Sequence, residues 1–163
     1  MHKNQALAKS AQSVQDALAN AGLNCRVMEL SESTRTAQDA ANAIGCDVAQ
    51  IVKSLIFKTR NSQKPVLVLA SGPNRVNEKV IEALLREKII KADADFTRDI
   101  TGFAIGGIPP IGHKERINFV FIDEDLLQFD DLWAAAGTPN AVFNLKGKDL
   151  CEMTQGKIIS IQS

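Results

Sequence analysis

The chain has 163 residues, of which 45% are hydrophobic and 23% charged, and these values are typical of a single globular domain. Its 19 basic and 19 acidic residues cancel, which argues against a protein that holds nucleic acid through bulk positive charge. Three cysteines without a CxxC pair and two histidines give neither a disulfide framework nor zinc-like spacing, so we expect no metal and no cofactor. The first residues contain no long apolar run, so we expect no membrane span and a cytoplasmic protein.

The first half of the chain predicts three helices separated by strands. Apolar residues at helical spacing indicate a helix from residue 4 to about residue 20. A second helix is expected between the N-cap Thr36 and the stop Gly45, and a third over 77–88 with Asn77 as its cap. Short apolar runs bounded by turn residues indicate strands over 25–30, 51–59 and 65–71.

The second half predicts further short elements without a regular alternation of strands and helices. Helices are expected over 93–102, over 130–137 and in the "GKDLCEMTQ" segment, and strands over 117–123, 141–145 and 157–162. We expect Asp123, Glu124 and Asp125 to be turn and cap residues, and Trp133 to lie in the core. The sequence therefore predicts one α+β domain over residues 1–163, with a mixed, mostly antiparallel sheet surrounded by helices.

Lys53 is the first residue with chemical interest. Side chains alternate along a strand, so Lys53 shares a face with the large apolar residues Ile51, Leu55 and Phe57. An ammonium buried without a partner is costly. Lys53 could be an edge-strand lysine that deters aggregation, or a lysine whose stem is buried and whose head reaches water. It could also be a cation at a cavity mouth that binds a phosphate or a carbonyl oxygen.

The loop "FAIGGIPPIGH" is the second feature. Gly106 and Gly107 allow close approach to the backbone, and Pro109 and Pro110 stiffen the residues that follow. Such a loop could present backbone donors to a developing oxyanion, or it could simply be a turn before the strand at 117. His113 at its end could act as a base, contact a sugar hydroxyl or lie on the surface. The cysteines have no positional argument for nucleophilic work.

Several segments in series resemble the YbaK/prolyl-tRNA editing domain family. They are "TAQDAANAIGCDVAQIVKSLIFK", "PVLVLASGPNRVNEKV", "AIGGIPPIGH", "FIDEDLLQFDDLWAAAGTPNAVFNL" and "DLCEMTQGKIISI". Together they run from about residue 34 to the end of the chain. The resemblance implies a mixed sheet surrounded by helices and a trans-editing aminoacyl-tRNA deacylase that hydrolyses the ester of mischarged tRNA(Pro).

The resemblance also implies where the site lies. The family lysine falls on Lys53, and the family GxxxP motif falls on 106–110. We expect Lys53, Gly106 and Gly107 to be catalytic, with Lys53 holding the terminal nucleotide by its phosphate. We expect the rest of the loop to bind the substrate, with the variable middle of the motif tuning which side chain fits. The expected substrate-binding residues are Ile108, Pro109, Pro110, Gly112 and His113.

The amino acid that is removed stays open between alanine, cysteine, 2-aminobutyrate, serine and threonine, with a preference for a small aliphatic side chain. The implied partners are the acceptor end of mischarged tRNA(Pro) and prolyl-tRNA synthetase. One alternative is a non-catalytic tRNA- or synthetase-associated module of the same fold. A second is a small-molecule-binding or hydrolytic protein of another class that uses Lys53 and His113 on a metabolite. A third is a lysine that forms a Schiff base with a cofactor.

Overall fold

The computed structural model describes residues 6–162, which form five α-helices and eight strands. The helices are α1 Lys9–Asn20, α2 Ala37–Ile44, α3 Glu78–Leu85, α4 Ala94–Thr101 and α5 Gly147–Thr154. The strands are β1 Val27–Glu29, β2 Ile51–Thr59, β3 Pro65–Ser71, β4 Ile89–Lys91, β5 Phe119–Asp123, β6 Leu132–Ala135, β7 Ala141–Leu145 and β8 Lys157–Ile159. Short 3₁₀ turns over Val48–Gln50 and Glu124–Gln128 lead into β2 and out of β5.

All eight strands belong to one mixed sheet. Seven follow the order β1–β7–β6–β2–β3–β5–β8, and β4 pairs with β2 outside this path. The pairs β1–β7, β6–β7, β2–β3 and β2–β4 are antiparallel, whereas β2–β6, β3–β5 and β5–β8 are parallel. The expected α+β domain with a mixed, mostly antiparallel sheet is confirmed.

Helices cover both faces of the sheet, and β3 shows why. Leu67 and Leu69 point into the larger apolar core, which contains buried residues of α1 and α5. Val66 and Val68 point the other way into a second core that contains Ile81 of α3. A strand buried on both faces reads as a continuous apolar run, as "PVLVLA" does.

The expected helix ends are largely confirmed by their caps. The Thr36 side chain accepts a hydrogen bond from the Asp39 N–H, and Gly45 closes α2 in the left-handed conformation with φ of 85°. Asn77 accepts from Lys79 N–H, and Asp123 caps the turn after β5 by accepting from Asp125 N–H. The side chain of a cap replaces the helical partner that the first N–H groups lack.

Three sequence-based expectations are wrong. Trp133 is only partly buried and lines a cavity instead of lying in the core. The segment over 130–137 is not a helix, because Leu132–Ala135 forms strand β6 between β2 and β7. The third helix ends at Leu85 rather than at residue 88, since Arg86 is left-handed and the chain enters β4. The expected start of the first helix at residue 4 lies outside the described residues, and the described helix begins at Lys9.

Strand β2 has a gap in its pairing that positions the site. On the side opposite β3, its ladder with β6 stops at Val52 and its ladder with β4 starts at Phe57. Among residues 6–162, no strand therefore pairs with 53–56 on that side. The middle of a central strand is open at this edge, and the cavity described below lies against it.

Candidate active site

A cavity of about 420 Å³ lies against the open stretch of β2. Lys53 of β2, Gly106 and Ile108 of the glycine–proline loop, and Arg35 before α2 all line it. Most of the remaining wall is apolar or small, and the lining contains no aspartate or glutamate. The other lining residues are Thr34, Thr36, Ala37, Ala40, Ile51, Val52, Ser54, Leu55, Ile105, Trp133, Ala134, Ala135 and Val142. A positively charged, apolar-walled cavity suits a ligand that is anionic at one end and apolar at the other.

The ammonium of Lys53 is held at this cavity by a backbone carbonyl. Its Nζ donates a hydrogen bond of 2.7 Å to the Asn74 carbonyl oxygen. An ammonium has three N–H donors, so two remain for a ligand. The side chain is half-buried, in agreement with a stem packed on the sheet and a head at the cavity.

A buried carboxylate fixes the loop that carries this carbonyl. Asp123, which is 1% exposed, accepts 2.9 Å and 2.8 Å hydrogen bonds from Ser71 N–H and from the Asn74 side-chain amide. The same Asn74 amide also donates to Asp125 at 2.8 Å. The sequence predicts only a cap role for Asp123. Its hydrogen bond to Asn74, the residue whose carbonyl binds Lys53, is a feature that sequence reasoning missed. The chain Asp123–Asn74–Lys53 ties the end of β5 to the middle of β2.

The surroundings lower the pKa of Lys53 below the ordinary value for lysine. Burial is the main cause because it disfavours the charged ammonium, and the nearby positive charge of Arg75 adds to it. The carboxylate of Asp123 acts in the opposite direction. The ammonium therefore gains from any anionic ligand that enters the cavity.

Gly106 is the glycine of the loop that faces the cavity. Its φ is 99°, a conformation that favours glycine, and a Cβ added there would lie 2.8 Å from Arg35 Cγ. Among the described residues, none accepts a hydrogen bond from Gly106 N–H. This backbone donor is therefore unpaired within the described residues, on a residue that lines the cavity.

Gly107 is placed differently from what the sequence suggested. Its N–H donates to the Ala104 carbonyl at 3.1 Å, and its carbonyl accepts from Gly137 N–H at 2.8 Å. A Cβ at Gly107 would lie 3.1 Å from Thr138 N, so the two segments pack backbone to backbone. Gly107 docks the loop against the "GTPN" segment, and its N–H is already occupied.

The loop residues after Ile108 do not line the Lys53 cavity. Pro109 is buried, whereas Pro110, Gly112 and His113 line a separate cavity of about 400 Å³. His113 Nε2 lies 2.7 Å from the Pro109 carbonyl and must donate to it, because a carbonyl can only accept. Burial lowers the pKa of His113, and this hydrogen bond only partly opposes the shift. The structure therefore does not bring His113 together with Lys53.

Ser54 is a second residue that sequence reasoning missed. Its hydroxyl is buried and has no hydrogen-bond partner among the described residues, although the residue lines the cavity. The other hydroxyls of the wall are engaged, since Thr34 donates to the Pro139 carbonyl and Thr36 caps α2. An unpartnered buried hydroxyl costs free energy in the absence of a ligand.

We therefore expect Ser54→Ala to raise the free energy of unfolding by about 1 kcal/mol, because the variant removes a hydroxyl that no residue satisfies. The matched control is Ser71→Ala. Ser71 is 1% exposed and its hydroxyl donates to the Ala49 carbonyl at 2.6 Å, so its loss should cost about 1–3 kcal/mol. Urea denaturation measures both values. Equal destabilisation by the two variants would show that Ser54 is satisfied after all.

The cysteines do not contribute to this cavity. Cys25, Cys46 and Cys151 are free thiols, and burial raises the pKa of each. Among residues 6–162, no cluster of three His, Cys, Asp or Glu residues is arranged to hold a metal ion. Within the same range, the helices are too short or too polar to span a bilayer.

Comparison with known proteins connects this geometry to a family. The family model described as "Aminoacyl-tRNA editing domain" matches residues 31–153, which include Arg35, Lys53 and the whole glycine–proline loop. The uncharacterized protein YwhH of Bacillus subtilis (strain 168) is 29% identical over 132 residues, covering 81% of this chain and 83% of that protein. Proline–tRNA ligase of Limosilactobacillus fermentum is 35% identical over 89 residues, which are 52% of this chain but only 16% of the ligase.

Solved structures share the whole architecture. A candidate trans-editing enzyme for prolyl tRNA synthetase superposes with a TM-score of 0.91 at 40% identity, covering 97% of this chain and 99% of that one. The hypothetical protein APE2540 superposes with a TM-score of 0.84 at 26% identity, over 91% of this chain and 98% of that one. The sequence match spans three quarters of the chain, and the fold match spans nearly all of it. The chain belongs to the aminoacyl-tRNA editing domain family.

Proposed function

We propose that the protein is a trans-editing deacylase that hydrolyses the ester between a small non-cognate amino acid and tRNA(Pro). The observation that carries the proposal is that Lys53 and Gly106, from distant parts of the chain, line one cavity without a carboxylate. The similarity to a candidate trans-editing enzyme for prolyl tRNA synthetase over nearly the whole chain supports the same substrate class.

Lys53 binds the charged end of the substrate in this proposal. Its two remaining N–H donors reach a phosphate oxygen of the terminal nucleotide, while the third stays on the Asn74 carbonyl. The contact also relieves the cost of holding a half-buried ammonium. The aminoacyl group then extends into the apolar part of the cavity.

The Gly106 N–H stabilises the reaction centre. It donates to the ester carbonyl oxygen and gains strength as that oxygen becomes an anion in the tetrahedral intermediate. Water adds to the carbonyl carbon, the bond to the ribose oxygen breaks, and the products are a free amino acid and a ribose hydroxyl. The thiols play no part, because none lines the cavity and the pKa of each is raised.

Selectivity against proline arises from the shape of the wall. Ile108 is buried and fixed by the stiff loop, and Trp133 lies across the cavity on β6. One methylene changes binding in an apolar pocket by only about 1–3 kcal/mol, so a rigid wall that clashes with the proline ring discriminates better. Alanine, cysteine, serine, threonine and 2-aminobutyrate remain the candidate side chains, and the apolar lining favours a small aliphatic one.

The protein acts on tRNA with help from a partner. Its net charge is zero, so free tRNA is held by few phosphate contacts and the affinity is modest and sensitive to salt. Prolyl-tRNA synthetase, which produces the mischarged tRNA(Pro), is the partner that would deliver it. The alternative of a non-catalytic module does not require the free donors of Lys53 and Gly106.

The direct test is a deacylation panel. The protein is incubated with tRNA(Pro) carrying alanine, cysteine, serine, threonine, 2-aminobutyrate or proline, and the remaining ester is measured over time. We expect at least one small amino acid to be released and prolyl-tRNA(Pro) to survive. Cys46→Ala and Cys151→Ala should retain the wild-type rate. A protein that binds these tRNAs but releases no amino acid would instead be a binding module.

A further inference from the structure

We propose that Arg35 is a second phosphate-binding residue of the cavity and grips the acceptor strand beside Lys53. This inference rests on the proposed function, because it states which residue binds the acceptor strand of the proposed tRNA substrate. The residue lies in the segment between β1 and α2, and nothing in the composition or spacing of that segment distinguished it from an ordinary surface arginine.

The position of Arg35 is fixed by its neighbours. Thr34 donates to the Pro139 carbonyl through its backbone N–H at 2.6 Å and through its hydroxyl at 3.1 Å. Arg35 N–H donates to the Ser33 hydroxyl at 3.2 Å, and Thr36 starts α2 as its cap. The backbone on both sides of the arginine is therefore anchored, which limits where its side chain can reach.

The side chain lies over the glycine of the loop. A Cβ added at Gly106 would be 2.8 Å from Arg35 Cγ and 3.4 Å from its Nε, so the absence of a side chain at 106 makes room for the arginine stem. The arginine stem therefore packs on Gly106, the same residue whose N–H donates to the ester in the proposed reaction. Arg35 is exposed, and no described carboxylate forms an ion pair with it.

The charges around the cavity favour a phosphate as the ligand. Arg35 and Lys53 both line it, and no carboxylate is among the lining residues. Outside the lining, Arg75 and Asp123 act on Lys53 with opposite charges, so among the described residues the cavity surface itself carries only the two cations. Guanidinium binds phosphate through two parallel hydrogen bonds, which gives direction as well as charge. Two cations on one cavity fit two successive negative charges, as an RNA strand provides.

The test separates phosphate recognition from hydrolysis. Uncharged CCA trinucleotide carries two internucleotide phosphates, and its binding to the wild-type protein, Arg35→Ala, Arg35→Lys and the control Arg98→Ala is measured by fluorescence anisotropy. Arg98 is exposed on α4 and lines none of the cavities described above. We expect Arg35→Ala to weaken binding about 10- to 100-fold and to reduce the slope of log affinity against log salt by about 0.7. Arg35→Lys should recover part of the affinity because it keeps the charge without the paired hydrogen bonds.

A second arm compares two minimal esters, 3′-alanyl-CCA and 3′-alanyl-adenosine, which has no phosphate. Arg35→Ala should raise KM for the first ester by a larger factor than for the second, because only the first carries phosphates for the guanidinium. Equal losses on both esters, or unchanged trinucleotide binding, would overturn the assignment. Displacement of the trinucleotide by equimolar adenosine monophosphate would assign the phosphate to a free nucleotide instead and would also overturn it. Arg35-dependent binding without hydrolysis of either ester would refute the deacylase proposal alone.

Discussion

Lys53→Ala is expected to reduce kcat/KM for deacylation by at least about 100-fold, because it removes the ammonium that orients the charged end of the substrate. The matched control is Lys157→Ala, which removes an exposed lysine from β8 at the far edge of the sheet. A rate assay with the substrate identified in the panel measures both variants. Wild-type activity in Lys53→Ala would remove the central residue from the proposal.

Lys53→Met separates this effect from unfolding. The pKa of Lys53 is lowered, so between that value and the ordinary lysine pKa the unfolded chain binds more protons than the folded one. The cost of the buried charge is therefore present at neutral pH and is relieved as pH rises through the lowered pKa. We expect Lys53→Met to be at least as stable as the wild type at neutral pH while being inactive. For the same reason, wild-type activity should fall at a lower pH than an exposed lysine would give.

Asp123→Ala is expected to have the largest effect on stability, lowering the free energy of unfolding by about 2–4 kcal/mol. The variant leaves the buried Ser71 N–H and the Asp125 N–H without their acceptor, and it removes one of the two partners of the Asn74 amide. Because Asn74 carries the carbonyl that holds Lys53, deacylation should fall as well. Denaturation by urea and the rate assay measure the two effects.

Asp123→Asn sharpens the comparison. The carboxylate uses both oxygens as acceptors, and asparagine keeps only one acceptor, so it should also lose stability and activity. Asp130→Asn is the control, since Asp130 is exposed and should change stability by less than about 0.5 kcal/mol. If Asp123→Asn behaves like Asp130→Asn, the network does not hold Lys53.

The hairpin of β2 and β3 could be predicted to the residue because its information is local. Apolar runs over 51–59 and 65–71 flank the polar turn "RNSQK", and the structure has the same bounds. The alanine-rich segment over 130–137 misled the prediction, since alanine favours a helix in isolation. In the structure every second residue of the strand is buried, as Leu132 and Ala134 show. This pattern depends on pairing with β2 and β7, which are distant in sequence or cannot be read from the segment itself.

The cavity could be predicted only in part for a similar reason. A lysine among apolar residues and paired glycines make Lys53 and Gly106 unusual in sequence, but only the family resemblance assigned them to one site. Arg35 and Ser54 do not stand out in sequence, because one depends on a contact across 71 positions of the chain and the other on the packing that buries its hydroxyl without a partner. The Gly107 N–H donates to the Ala104 carbonyl within a local turn, and the Gly107 carbonyl accepts from Gly137 N–H, a tertiary contact that no short stretch of sequence indicates.

Within the described part of the chain, the open stretch of β2 leaves unpaired backbone groups at the centre of the sheet. The Ile56 carbonyl accepts a hydrogen bond from Ala92 N–H on the side of β2 opposite β3. Backbone groups of residues two positions apart point to the same side of a strand, so the Ser54 amide faces the gap. We expect this amide to exchange its hydrogen with solvent faster than the paired amides of β3. Substrate bound in the cavity would cover this stretch of β2 and slow the exchange of the Ser54 amide. Substrate binding would therefore make the centre of the sheet more rigid.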